Sequence, residues 1–537
     1  MAVITTLLAL IPIICLIICL VGIKFSVAKS GGISLVVALI IALIFFGLTP
    51  FGVAVAVGKA FWLALVVSLI VWCALFLYHL ISDFGAIEVI NKKIMVLVKD
   101  ETVAFVLLAW CLTGLLQGIA GFGIPGVIVA PILIALGFNP IKSLAAPLLG
   151  HSWAMTFGSM GVAFWVIHGL TDIPVTDLAI PMWIFNTVTI LLTGIGVCFV
   201  YDGLKGIRKG ILYVLPVAMV MSAVQFLIIY LGMYALASIV TGLAGVVAMY
   251  LLYRLRFRKK VKTAEAAEIT ESTETANQPK DKLNLLQSIF PYALILILLL
   301  SFQLIPASVR NAVAVAPNFP ETTTVEPLIV VSELTPHVAR AETRYNPIRL
   351  FVHPAMVLVI ASAVACIIYK RTKIWDNKIF KGAAQKTLKK GIPATLALLA
   401  FGNMSLIMMD SGMMFRLART VADLTGKFYP FASPYIGVLA TFLTGNNTNS
   451  NVMFGGFQQT VAHELGMSGA VMSAAQSIAG GLGCAIASTL ILLAAITTNQ
   501  KDKVPVVLKK LIPIVLIIAG VMGIVNFILL GVLGYGP

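Results

Sequence analysis

The sequence predicts an all-α polytopic membrane protein of about 12–16 spans, arranged as two inverted-topology repeats that each contain a broken or re-entrant helix. Three observations carry this reading. Of 537 residues, 60% are hydrophobic and only 11% charged, with a mean hydropathy of +1.04, whereas ordinary soluble domains carry about 25% charged residues. Apolar runs long enough to cross a hydrocarbon core recur from end to end. A polar, helix-breaking motif occurs twice, as Gly-Phe-Gly-Ile-Pro at 121–125 and as Thr-Gly-Asn-Asn-Thr-Asn-Ser-Asn at 444–451. Each copy is followed by a second polar triplet, Gly150-His151-Ser152 and Ala475-Gln476-Ser477, with an offset of 324–325 residues between copies at either end.

The elements follow in chain order. Runs of spanning length lie near 3–23, 33–50, 61–81, 103–120, 144–167, 181–200, 211–230, 234–253, 286–305, 353–369, 391–409, 429–445, 469–496 and 511–533. The first has no basic leader and no small-residue cleavage site, which reads as a retained span and not a signal peptide. Two shorter runs, 123–137 and 449–464, reach only about 22–24 Å at about 1.5 Å per residue, so they begin inside a core of about 30 Å. Spans near 3, 33, 61, 103, 123, 144 and 181 pair in order with those near 286, 353, 391, 429, 449, 469 and 511. An odd-numbered unit joined through an even insertion comes back the other way up, which is the architecture of many secondary transporters with a midplane site. The expected organisation is a first repeat over 1–200, a two-helix insertion over 201–255, a charged cytoplasmic linker over 256–285, and a second repeat over 286–537 with an external loop at 306–352.

The formal charge of +16 does not point to nucleic acid, because the basic residues sit in short loops between apolar runs, where they orient a membrane protein. With 254–285 in the cytoplasm, 29 of the 37 Lys and Arg fall inside. The lipid bilayer is therefore the expected surroundings and the plasma membrane the expected location. Seven cysteines are scattered through apolar runs without CxxC spacing, which supports neither a disulfide framework nor a metal site.

The polar breaks hold the candidate substrate-binding residues. Gly121, Gly123 and Pro125 interrupt one helix, and Pro125 suits the first turn of a restarting one, whose free N–H groups then face the break. In the second copy Gly445, Asn446, Asn447, Thr448, Asn449 and Ser450 offer N-capping side chains ahead of a helix starting near Asn451, again with its positive dipole end inward. Such ends attract a carboxylate, while amide and hydroxyl oxygens hold a small cation or water. His151, Ser152, Gln476 and Ser477 lie on the arms that follow, each read as one long helix. His151 and Asp410 are the candidates for coupling, because ionisable groups within the membrane are functional candidates by default; Asp410 also suits a cap on the segment after it. No P-loop, nucleophile elbow or zinc-spaced His/Glu set is present, so neither ATP-driven transport, an enzyme, nor a cofactor is expected.

The stretch from Gly-Phe-Gly-Ile-Pro through Phe157-Gly158-Ser159-Met160-Gly161, and that from Met409-Asp410-Ser411-Gly412 through the Asn-rich motif to Val452-Met453-Phe454-Gly455, resemble the bacterial and archaeal L-lactate permease family. The similarity runs over nearly the whole chain. It departs from better-known members at Gly150-His151-Ser152-Trp153 and at Leu482-Gly483-Cys484-Ala485, which makes this a divergent member. The resemblance implies a prokaryotic plasma-membrane carrier of lactate, glycolate or related 2-hydroxymonocarboxylates, with 121–125 and 445–451 as the substrate region. The expected function is alternating-access transport of a small organic anion coupled to H⁺ in preference to Na⁺. The alternatives are another small organic anion as cargo, or an anion channel.

Overall fold

The structure, a computed structural model, describes residues 2–86, 89, 100–119, 121, 124–256, 283–303, 314–315, 348–349, 353–534 and 536. Most of the expected linker 256–285 and loop 306–352 lies outside them. The described residues are helical almost throughout, the exception being a two-residue antiparallel pairing of β1 (Ala314–Val315) with β2 (Ile348–Arg349).

The first part of the chain forms α1 (Ala2–Ile17), α2 (Val27–Phe45), α3 (Pro50–Asp83), α4 (Glu101–Ile119), α5 (Ile124–Ala135), α6 (Pro140–Gly150), α7 (Gly158–Thr171), α8 (Val175–Tyr230) and α9 (Ala237–Arg256). The second part forms α10 (Leu285–Gln303), α11 (Pro354–Arg371), α12 (Asn377–Asp410), α13 (Met413–Thr425), α14 (Tyr429–Thr444), α15 (Asn447–Glu464), α16 (Gly469–Gly483), α17 (Ser488–Thr497) and α18 (Val504–Phe527). Local chemistry sets many starts. Thr49, Asn139 and His353 each precede a proline and accept a backbone N–H of the first turn, so the proline occupies a position whose own N–H has no helical partner.

Among the described residues ten helices are long and apolar enough to span, eleven if the bent pair α6 and α7 counts as one. The 56-residue α8 bends where Asp202 and Gly203 leave helical geometry, so the expected runs 181–200 and 211–230 are its two arms. Burial separates roles. Only 28% of the apolar window of α1 is covered by protein, against 83% for α4 and 94% for the window that includes α16. The outer helices turn Ile4, Ile44 and Leu204 outward, as a lipid-facing surface allows, while α4 and α16 form the interior.

The two 34-residue helices α3 and α12 pack antiparallel. Lys59 Nζ lies 3.7 Å from Asp410 near one end, Trp72 Nε1 donates to Thr395 Oγ1 at 2.9 Å midway, and Lys386 Nζ donates to Asp83 at 2.7 Å toward the other end.

Two expectations need correction. The runs 144–167 and 469–496 are not continuous helices: the first is interrupted from His151 to Phe157, the second from Cys484 to Ala487. Hydropathy reports compatibility with an apolar interior, whereas continuity depends on whether packed protein satisfies an irregular backbone. The second polar helix also begins earlier than Asn451. Asn446 is its N-cap, its Oδ1 accepting the Thr448 N–H at 2.9 Å, and Asn447 is already helical.

Candidate substrate site

The breaks meet because glycine lets helices approach. A Cβ on Gly114 would enter the Trp153 ring, one on Gly118 would lie 2.7 Å from the Ile239 backbone nitrogen, and one on Gly150 would fall on the Ala109 carbonyl. That carbonyl belongs to a π-helical stretch of α4, Leu107–Leu112, and also accepts from Thr113 Oγ1 at 2.7 Å. This clamp seats the interrupted segment 151–157 against α4 and α9.

After the interruption the chain makes a sharp turn through Ser159, Met160 and Gly161, all with positive φ of 48°, 60° and 77°. Two consecutive non-glycine residues in this region are strained, and such strain persists only where packing enforces it. The turn brings Ser159 Oγ against Gly121, whose own φ of 62° marks the first break; a Cβ there would occupy the position of the hydroxyl.

The second break turns at Gly445 with φ of 74° and restarts at Asn447. From there α15 presents amides at four-residue spacing to the first half of the chain. Asn447 Nδ2 donates to Thr156 Oγ1 at 3.2 Å, Asn451 Nδ2 to the Ala163 carbonyl at 3.0 Å, and Gln459 Nε2 to the Thr171 carbonyl at 2.8 Å. Residues four apart share a helix face. Thr156 Oγ1 in turn donates to the Ser477 carbonyl at 3.0 Å, so four interrupted segments are stitched together here.

Where they meet lies a cleft of about 250 Å³, its open mouth included, lined by Gln117, Met155, Gly158, Ser159, Val162, Ala163, Asn446, Asn447 and Thr448. One wall is polar and one apolar. Gln117 lines the cleft, is 2% exposed, and its Oε1 has no hydrogen-bond partner, an orphaned buried acceptor. Asn446, Asn447 and Thr448 bring the positive end of α15 to the same cleft. Met155, Val162 and Ala163 supply the apolar side.

A family model of the L-lactate permease matches residues 5–533. The chain belongs to the L-lactate permease family. That family is one of transporters, not enzymes, and with its ten or more apolar helices this permease is a multi-pass cell-membrane protein. It is 26% identical to the L-lactate permease of Streptococcus iniae over 86% of this chain and 91% of that one. To the glycolate permease GlcA of Escherichia coli K12 it is 24% identical, over 98% and 95%, and to the L-lactate permease of the same strain 24%, over 93% and 91%. Among solved structures, Neisseria gonorrhoeae MtrF, described as illuminating a class of antimetabolite efflux pumps, aligns at 14% identity with a TM-score of 0.43, covering 87% of this chain and 82% of that one.

Of the candidates read from the sequence, the permease brings Asn446, Asn447 and Thr448 to the cleft and Gly121 against Ser159 at its edge. Gly445 makes the turn, Pro125 lies in the first turn of α5, and Gly123 is outside the described residues. The remaining candidates stand back from the cleft. Ser450 and Gln476 end a chain in which Tyr429 donates to Gln458, Gln458 to Gln476, and Gln476 Nε2 to Ser450 Oγ at 3.0 Å. Ser477 Oγ accepts from Asn451 Nδ2 at 2.8 Å, and Asn449 is buried away from the amide face of α15. His151 is fully buried with its Nδ1 bonded to the Pro147 carbonyl at 2.7 Å, and Ser152 Oγ donates to the Leu149 carbonyl at 2.7 Å. Asp410 caps nothing: α13 has Gly412 as its N-cap with no side-chain bond, and the carboxylate pairs with Lys59.

Sequence reasoning did not single out Gln117, Ser159, Thr156 or the 447, 451, 459 row. A signal existed for the last, since amides at i, i+4 and i+12 on one short intramembrane helix demand a polar partner surface.

Proposed function

We propose that the protein carries small 2-hydroxymonocarboxylates, of the lactate and glycolate kind, across the cell membrane by cation-coupled alternating access. The observation that carries the reading is the cleft at the start of α15, where a positive helix end, an unpartnered buried Gln117 acceptor and a small apolar wall converge. The three features match three parts of the cargo. The carboxylate lies toward the α15 N-terminus, the 2-hydroxyl donates to Gln117 Oε1, and the methyl of lactate, absent in glycolate, rests on Val162 and Ala163. Relatives named for lactate and for glycolate support a cargo of this size and chemistry.

Alternating access draws on an inverted repeat, and the order of elements supports one. The 34-residue α3 corresponds to the 34-residue α12, the interrupted pair α4 and α5 to α14 and α15, and the interrupted pair α6 and α7 to α16 and α17. The coupling ion is H⁺ or Na⁺, with Asp410 beside Lys59 and the buried His151 as the titratable candidates within the spans.

Purified protein in liposomes tests the reading. Labelled lactate and glycolate should accumulate under an imposed cation gradient, saturate, and exchange in counterflow, while a citrate-sized anion competes poorly. Non-saturating flux without counterflow would assign the protein to channels, and equal competition by a tricarboxylate would rule out this cleft.

A further inference from the structure

The polar contacts between α3 and α12 obey a symmetry that their sequences do not show at a glance. Both helices have 34 residues, and position 50 corresponds to 377 as position 83 does to 410, an offset of 327 residues. The same offset sets Lys59 on Lys386, Ser68 on Thr395 and Asp83 on Asp410. These are the residues that bond across the interface. Lys59 Nζ lies 3.7 Å from Asp410, Lys386 Nζ donates to both oxygens of Asp83 at 2.7 and 2.8 Å, and Thr395 Oγ1 donates to Ser68 Oγ at 3.1 Å. Exchanging the two helices turns the first ion pair into the second and returns the Ser68 and Thr395 contact to itself. Such reciprocity is the mark of a two-fold axis, which here passes between the helices beside Ser68 and Thr395.

The spacing places one ion pair at each face of the membrane. In each helix 24 residues separate the Lys from the Asp, about 36 Å at about 1.5 Å per residue, against a hydrocarbon core of about 30 Å. Gates at opposite faces of an alternating-access carrier close in turn, whereas here both pairs are closed in one structure. The middle is closed too. Trp72 Nε1 donates to Thr395 Oγ1 at 2.9 Å, and a Cβ on Gly391 would lie 2.9 Å from the Trp72 ring. The residues lining the cleft all come from other helices. The pair nevertheless borders the moving parts that the cleft requires, since α3 packs on α7, and a Cβ on Gly456 of α15 would fall 2.5 Å from Met409 Sδ of α12.

We propose that α3 and α12 form a pinned central axis that stays closed through the transport cycle, with Lys59 to Asp410 and Lys386 to Asp83 as symmetry-equivalent clamps at the two faces. The interrupted helices then move against this axis. The word cycle rests on the transport reading; the clamps themselves do not. Both lysines and both aspartates are positioning residues in this scheme, and Asp410, held by Lys59 throughout, carries no coupling proton.

Two experiments test the axis. With the seven native cysteines replaced, Ser68→Cys and Thr395→Cys in one chain should form a disulfide in liposomes, because the two oxygens they replace are only 3.1 Å apart. Lactate uptake by the oxidised protein should stay within about twofold of the reduced protein, as a fixed contact requires. A disulfide that does not form, or one that cuts uptake about tenfold with recovery on reduction, overturns the pinned axis. The second experiment exchanges charges. Lys59→Asp with Asp410→Lys, and Lys386→Asp with Asp83→Lys, should each recover most of the unfolding temperature lost in Lys59→Asp or Lys386→Asp alone, and each should keep the wild-type pH profile of uptake. No recovery in either exchange overturns the clamps, and a shifted pH profile in the Lys59 and Asp410 exchange makes Asp410 a coupling group and overturns its assignment as a clamp. Should the wild type carry no carboxylate under any gradient, the transport reading falls, and recovery of stability in the two exchanges alone decides the clamps.

Discussion

Asn447 joins the two halves of the chain at the place where α15 starts, since its amide nitrogen holds Thr156 while its side chain and backbone border the cleft. Replacing it by Leu removes the bond to Thr156 and leaves a buried acceptor environment unsatisfied, at a cost of about 1–3 kcal/mol. Asn447→Leu should abolish lactate uptake at matched membrane expression. Asn449→Leu, away from the cleft, should reduce uptake much less, and wild-type uptake by Asn447→Leu would remove the cleft from consideration. The apolar wall gives a second residue-scale prediction. Ala163 is 2% exposed and lines the cleft, so Ala163→Leu fills the space assigned to the lactate methyl. Lactate kcat/KM should fall by about tenfold or more relative to glycolate, measured by competition between the two labelled substrates.

At the scale of elements, glycine contacts and one ion pair hold the interior helices. Gly150 ends α6 against the Ala109 carbonyl of α4 with no room for a Cβ. Gly150→Val should therefore push α6 off the π-helical stretch and cost about 1–3 kcal/mol of overpacking or more, seen as a lower unfolding temperature and reduced folded yield in detergent. The Lys59 and Asp410 pair joins α3 to α12, with side chains only 15% and 10% exposed. Asp410→Asn strands a buried ammonium and should destabilise by about 3 kcal/mol, whereas Lys59→Met with Asp410→Met removes both charges and should recover most of that loss. Recovery of stability without recovery of uptake would place the pair in the transport cycle and not merely in the scaffold.

For the whole molecule, sidedness follows from charge. The loop carrying Asp172 and Asp177 has no Lys or Arg, and the one before α18 carries Lys501 and Lys503, which predicts the first outside and the second in the cytoplasm. Thr176 and Lys501 are both exposed. With the seven native cysteines replaced, Thr176→Cys in intact cells should react with an impermeant thiol reagent and Lys501→Cys should not; the opposite pattern would invert the orientation. The interrupted helices are spread over both halves of the chain and come together at α15.

The membrane class, the positions of the outer spans and both principal breaks were legible in the sequence, because they depend on local chemistry. Apolar runs of sufficient length partition into lipid wherever they occur, and four glycines with a proline at 118–126, or Gly445 followed by Asn446, disfavour an uninterrupted helix by their own backbone preferences. Tertiary structure alone decided the rest. Gln117 and Ser159 become site residues only when the left-handed turn at 159–161 is pressed against Gly121. The breaks at 151–157 and 484–487 lie inside apolar runs that hydropathy reads as continuous, since buried protein can satisfy an irregular backbone that lipid cannot. His151 and Gln476 carry the same polar signal as Asn447, yet packing bonds His151 to a carbonyl of its own helix and Gln476 into a chain of amides. A polar residue at membrane depth must find a partner, and whether that partner is protein or cargo is set by which helices glycine lets come close.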